Sequence, residues 1–195
     1  MAQLGIFDKG EQPLHGGVIY RHTFLARAEA DKLFEAFLKL NWQQHRYRRT
    51  GPAPRMYVWM GIPYRSPNLE NEVVVTDWTP EALRVKARVE EAASCTFDSL
   101  NFNLYRSEHD SIYWHPDGEA EGLWRYPIAS VSLGAVRRFE WRKNKNGEIH
   151  AQALGHGSLL VMPPWFQRDY EHRVPKQDEP CGARINLTFR HKGRP

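Results

Sequence analysis

With 195 residues, 41% of them apolar and 26% charged, the chain is long enough to bury one full core and is composed like a folded globular protein, which excludes a disordered tail. Its 27 Lys and Arg against 23 Asp and Glu give a formal charge of +4, a balance that suits an anionic partner such as nucleic acid without demanding one. No stretch approaches the roughly 18 consecutive apolar residues of a membrane span, Met1 to Lys9 lacks the pattern of a secretory signal, and Cys95 and Cys181 are too few for a disulfide framework or a zinc ribbon, so reduced thiols, no membrane and a cytoplasmic (or, in a eukaryote, nuclear) location are expected.

A single domain is expected over 1–195. From Leu25 to Leu40 the apolar Leu33, Phe34, Phe37, Leu38 and Leu40 recur at helical spacing among Glu and Lys, which predicts an amphipathic helix. The stretch Thr50 to Asn71, rich in Pro and Gly, reads as an exposed hairpin and lid. A second helix is punctuated by Thr79 as N-cap and Pro80 at the first helical position, and Leu83, Ala87, Val89 and Ala93 are its expected buried stripe. Beyond residue 98 come short β runs: Leu100 to Tyr105, Ile112 to His115, Pro127 to Gly134, Arg137 to Arg142, Ile149 to Leu154, Ser158 to Met162 and Arg184 to Arg190. Strands divided by Gly, Pro and Asn turns point to a sandwich or jelly roll rather than a parallel α/β sheet.

His115 and Asp117 are separated by one residue, so from a strand end or the turn after it both can reach one metal, and His172 follows in a separate segment. Two His and one carboxylate can occupy one face of an octahedral iron(II) and leave the other positions open. An isolated His-x-Asp is, however, more often a turn with a surface histidine. In Arg184 to Arg190 the alternation of a strand puts Arg184, Asn186, Thr188 and Arg190 on one face and Ile185, Leu187 and Phe189 on the other. Two arginines inside a barrel require an anion, which a dicarboxylate would supply; an edge strand with its charged face in water fits the same pattern. Asn103 and Tyr105 share a face by the same logic. Arg46-Tyr47-Arg48-Arg49 mixes cations with an aromatic as nucleic-acid grooves do, or guards a solvated strand edge. Arg137, Arg138, Arg142, Lys143 and Lys145 read as a solvent-facing strand and its turn.

Taken in order, Asn103-Leu104-Tyr105, His115-x-Asp117, Pro127 to Gly134, His156 to Met162, His172-Arg173-Val174-Pro175 and Arg184 to Arg190 resemble the AlkB family of nucleic-acid dealkylating dioxygenases, over roughly residues 52 to 190. The resemblance implies a mainly β, α+β fold: a double-stranded β-helix (jelly roll) over about 99–190, preceded over about 16–98 by helices and a substrate-covering lid. It implies iron(II) on His115, Asp117 and His172, and 2-oxoglutarate held by Arg184 and Arg190 with hydrogen bonds from Asn103, Tyr105 and Asn186. With O2 these would oxidatively dealkylate N-alkylated bases such as 1-methyladenine and 3-methylcytosine.

The same resemblance brings Glu119 to the target base and makes Tyr64 and Trp59 candidates for stacking on it, with plain core packing as the alternative for Trp59. Relatives often carry a second aromatic where this chain has Arg65 or a deletion. Arg46, Tyr47 and Arg48 fall in the hairpin where family members that attack duplexes insert an apolar wedge; the cationic run here implies single-stranded alkylated DNA or RNA as partner, and a monomer is expected. The competing readings are the same chemistry on a protein or small molecule, and a nucleic-acid binding module without catalysis.

Overall fold

Alternating apolar and polar residues on three adjacent strands decide the architecture: one face of each strand seeks helices, the other is left polar and enclosed. The computed structural model describes residues 10–63, 69–117, 125–143 and 147–192. Among them the strands are β1 (Glu11–Pro13), β2 (Ile19–Arg21), β3 (Arg46–Tyr47), β4 (Gly51–Pro52), β5 (Met56–Gly61), β6 (Val75–Thr76), β7 (Ser99–Tyr105), β8 (Ile112–His115), β9 (Ile128–Gly134), β10 (Arg137–Lys143), β11 (His150–Leu154), β12 (Ser158–Met162), β13 (Tyr170–Val174) and β14 (Arg184–Arg190). The helices are α1 (Arg27–Leu38), α2 (Pro80–Ala93) and the single turn α3 (Phe166–Asp169). Among the described residues an eight-stranded sheet runs β1-β2-β12-β9-β14-β7-β5-β6, a four-stranded sheet runs β11-β10-β13-β8, and β3 and β4 form a separate hairpin. This is the mainly β jelly roll with N-terminal helices expected from the sequence.

On the helix side of the large sheet, Leu100, Phe102 and Leu104 of β7, Val131 and Leu133 of β9, and Ile185, Leu187 and Phe189 of β14 pack with Leu33 and Phe37 of α1 and Val85 and Val89 of α2. The opposite side faces the small sheet, with Ile128, Leu160, Met162, Phe139, Trp141 and Val174 forming a second apolar cluster. β14 is therefore a central strand, bonded to β7 on one side and β9 on the other, which rules out the solvated edge strand considered for its charges. Gly134 closes β9 at φ +87°, where an added Cβ would stand 2.3 Å from the carbonyl oxygen of Ala183; only glycine lets the segment entering β14 approach so closely.

Three expectations need correction. β5 lies inside the stretch read as an exposed lid, yet it pairs with β7 along its whole length and its Tyr57, Val58, Trp59 and Met60 are buried. Its apolar run was the signal of a buried strand, and the flanking Pro and Gly obscured it. In α2 the buried residues are Ala82, Val85 and Val89, while Leu83 is 48% exposed and Ala87 is exposed; the stripe is rotated from the one expected. Arg137 is fully buried rather than solvent-facing. It falls in phase with Phe139 and Trp141, the inward residues of β10, and its guanidinium donates to the carbonyls of Ser107, Asp110 and Pro175 at 2.9, 2.7 and 2.7 Å.

Candidate metal and dicarboxylate site

The antiparallel register of β8 and β13 sets His115 directly opposite His172, with ring centroids 4.5 Å apart. Asp117 follows two residues later, where its backbone N–H donates to Oε1 of the buried Gln167 at 2.8 Å. One ligand atom from each of His115, Asp117 and His172 lies within 4.8 Å of the others, close enough to share a single ion. The Nδ1 of His115 lies 2.7 Å from the carbonyl oxygen of Tyr113; a donated hydrogen bond there leaves Nε2 free to ligate. Burial, with the nearby His115, lowers the pKa of His172 to about 3, so the ring is neutral at pH 7, as a ligand must be. Burial alone would favour the protonated acid of Asp117, but Arg190, with its Nη2 2.9 Å from Oδ2, and the two histidines hold the carboxyl well below the usual range.

Facing this cluster, the register of the large sheet aligns polar side chains across three strands: Ser132 opposite Asn186 opposite Asn103, and Ser130 opposite Thr188 opposite Asn101. Arg184, opposite Tyr105, is 1% exposed. One of its nitrogens, Nη2, donates to Ser132 Oγ at 2.9 Å and Asn186 Oδ1 at 2.8 Å, and its guanidinium lies 5.2 Å from the Tyr105 ring. Nε and Nη1 of Arg184 and Nη1 of Arg190 are buried with no hydrogen-bond partner among the described residues. Burial lowers the Arg184 pKa to about 10, which still leaves the group charged at pH 7. A buried guanidinium with two idle nitrogens is costly until a carboxylate meets it. Both arginines, Asn103, Tyr105, Asn186 and the three candidate ligands line one cavity of about 690 Å³, so the donor set fits an iron ion and a dicarboxylate together.

Trp59 and Tyr47 line the same cavity. Trp59 is 3% exposed and its indole N–H donates to Ile62 O at 3.0 Å and Ser99 Oγ at 3.2 Å. Arg46 is paired with Glu70 at 2.8 Å, and Arg48 is exposed in the β3–β4 turn. Tyr64 and Glu119 lie outside the described residues. Sequence reasoning missed Arg55, whose Nε donates to Asn103 Oδ1 at 2.8 Å, and Gln167, which no local pattern marks. It also missed His45, which stacks on Tyr57 at 3.6 Å between ring centroids, lines the cavity, and is lowered to a pKa of about 4 by burial and then by Arg55.

A two-histidine, one-carboxylate face opposite buried arginines in a jelly roll defines the architecture of the 2-oxoglutarate-dependent iron oxygenases. The sequence matches the 2OG-Fe(II) oxygenase superfamily over residues 17–190. It is 40% identical over 182 residues to the mouse (Mus musculus) alpha-ketoglutarate-dependent dioxygenase alkB homolog 3, covering 86% of this chain and 63% of that protein. With the mouse DNA oxidative demethylase ALKBH2 it shares 32% identity over 189 residues, covering 86% and 77%. The chain belongs to the AlkB family within that superfamily. It spans less than two thirds of the length of its alkB homolog 3 relatives. The solved structure of OsALKBH1, 17% identical with a TM-score of 0.70 over 93% of this chain and 99% of that one, shares the fold.

Proposed function

We propose that the chain is an iron(II)- and 2-oxoglutarate-dependent dioxygenase that removes alkyl groups from N-alkylated bases, of the 1-methyladenine and 3-methylcytosine type, in DNA or RNA. The observation that carries the chemistry is the pair of idle nitrogens on the buried Arg184, in the same cavity as the His115, Asp117 and His172 cluster. His115, Asp117 and His172 would hold the metal, Arg184 the distal carboxylate of 2-oxoglutarate, and Arg190, Asn103, Tyr105 and Asn186 its remaining oxygens. Bound there, the metal would supply the O2-dependent oxidation that couples loss of CO2 from 2-oxoglutarate, giving succinate, to hydroxylation of the N-alkyl carbon, which would then leave as an aldehyde. The chain's own groups position both reactants and exclude water; none needs to act as nucleophile.

The names of the relatives support nucleic acid as the substrate, and the net charge of +4 agrees with it. Single strands are favoured because the β3–β4 turn is cationic at Arg48 and Arg49, and Tyr47, the sole aromatic of the run, is half-buried and bridged to Leu69 instead of standing free as a wedge. Glu119, Tyr64 and Trp59 are the proposed contacts to the extruded base, and a monomer suffices for all of this. Anaerobic loading with iron and 2-oxoglutarate, then exposure to air with methylated oligonucleotides and mass spectrometry, tests the reading. Demethylated oligonucleotide and succinate in equal amounts are expected. Succinate coupled to a peptide or metabolite, with oligonucleotides untouched, would overturn the substrate and keep the chemistry.

A further inference from the structure

The strand that carries His115 is weakly held by its backbone. β8 is an outer strand of the small sheet, and its pairing with β13 rests on two residue pairs, His172 with His115 and Val174 with Ile112, with a register irregularity between them. Such an interruption leaves the ladder locally unpaired beside the ligand position. His115 nevertheless has to stay within ångströms of a shared ion.

Behind it, on the outer face of the sheet, two guanidinium groups lie over the half-buried ring of Trp114, Arg142 of β10 at 4.3 Å and Arg173 of β13 at 4.5 Å from its centroid. Each arginine is anchored by a carboxylate from the opposite strand: Arg142 to Glu171 and Arg173 to Glu140, both at 2.6 Å. Glu140 also receives Arg138 at 2.6 Å. The β10–β13 register sets Glu140 against Arg173 and Arg142 against Glu171, so the charges alternate in a checkerboard. Trp141, His172 and His115 are the corresponding residues of the three strands on the inner face. Guanidinium groups stacked on an indole are held by planarity as much as by charge.

We propose that Trp114, held by Arg142 and Arg173, is the positioning residue for His115 and sets the affinity of the site for a divalent metal. The inference rests on reading His115, Asp117 and His172 as that site. Outer partners of metal ligands typically change affinity by roughly 10–100-fold, and Trp114 acts on His115 through the strand both share.

The test is titration of metal-free protein with Co²⁺, followed by calorimetry and by the visible spectrum of the bound ion, with thermal unfolding of each metal-free variant alongside. Trp114→Leu should weaken Co²⁺ binding about tenfold and shift the spectrum, while Trp114→Phe, which keeps an aromatic face for the arginines, should restore most of both. The double variant Arg142→Lys with Arg173→Lys keeps the charges, loses the planar stack, and should bind as weakly as Trp114→Leu; it also serves if Trp114→Leu fails to fold. Unchanged affinity and spectrum in the folded variants, even with a lowered melting temperature, would overturn this role and leave Trp114 a merely structural residue. Asp117→Ala separates the premise: if it binds Co²⁺ as the wild type does, the metal site itself is misread.

Discussion

Arg184 and Arg190 stand at opposite ends of β14, and the difference in their partners assigns them different work. Arg190 is already engaged by Asp117 at 2.9 Å, whereas Arg184 meets only neutral oxygens. Arg184→Lys keeps the charge but loses the planar fork, so 2-oxoglutarate binding, measured calorimetrically with Mn²⁺ in place of iron, should weaken by about 2 kcal/mol, the worth of one charge-assisted hydrogen bond. Unchanged affinity would mean that the dicarboxylate sits elsewhere in the cavity. Asp117→Ala should abolish succinate formation; because it also strips the buried Arg190 of its partner, folding of the variant is checked by urea unfolding, and turnover by the folded variant with a full complement of iron would remove Asp117 from the ligand set. At this scale strand alternation carried the reading of β14, and the same rule applied to β10 would have found Arg137 buried beside Phe139 and Trp141. Charge misled there. Nothing in the sequence shows that three backbone carbonyls converge on that guanidinium.

Among the elements, α2 shows which signals act locally and which depend on the whole. Its start was legible because a cap is a matter of a few adjacent atoms: Thr79 Oγ1 accepts from the Ala82 N–H at 3.2 Å, with Pro80 at the first helical position. Its buried face was not, since small residues such as Ala82 are placed by what the helix leans on, here the Leu100 and Phe189 side of the sheet. Two variants separate these contributions. Thr79→Ala should cost about 1 kcal/mol by removing the cap, and Leu83→Ala less than about 0.5 kcal/mol because the side chain is largely in water, both read from urea unfolding. A large loss in Leu83→Ala would imply that another surface covers it. β5 was lost for a related reason: its apolar run is short, and its pairing with β7 joins segments far apart in sequence.

The whole molecule carries an acid sensitivity that follows from putting two neutral histidines inside it. His172 titrates at about 3 and His45 at about 4, both below the 6.5 of an unfolded chain, in each case first because of burial. Above pH 6.5 neither state binds these protons, so stability is unaffected. As the pH falls below that value the unfolded chain takes up two protons that the native protein refuses, and stability declines by up to about 1.4 kcal/mol per pH unit for each histidine. The decline from these groups continues until the native pKa values are reached. Asp110 and Asp117 also favour the folded state, since their carboxyls are held below 3.8, but that contribution is lost only as the pH falls past their unfolded value. The first fall in stability on acidification should therefore belong to the histidines. Urea midpoints of the metal-free protein between about pH 7.5 and 4.5 should drop steadily below about 6.5, and His45→Phe, which keeps an aromatic ring on Tyr57, should remove close to half of the slope. A flat profile down to about pH 5 would show that the two rings take up protons in the folded state as readily as in the unfolded chain.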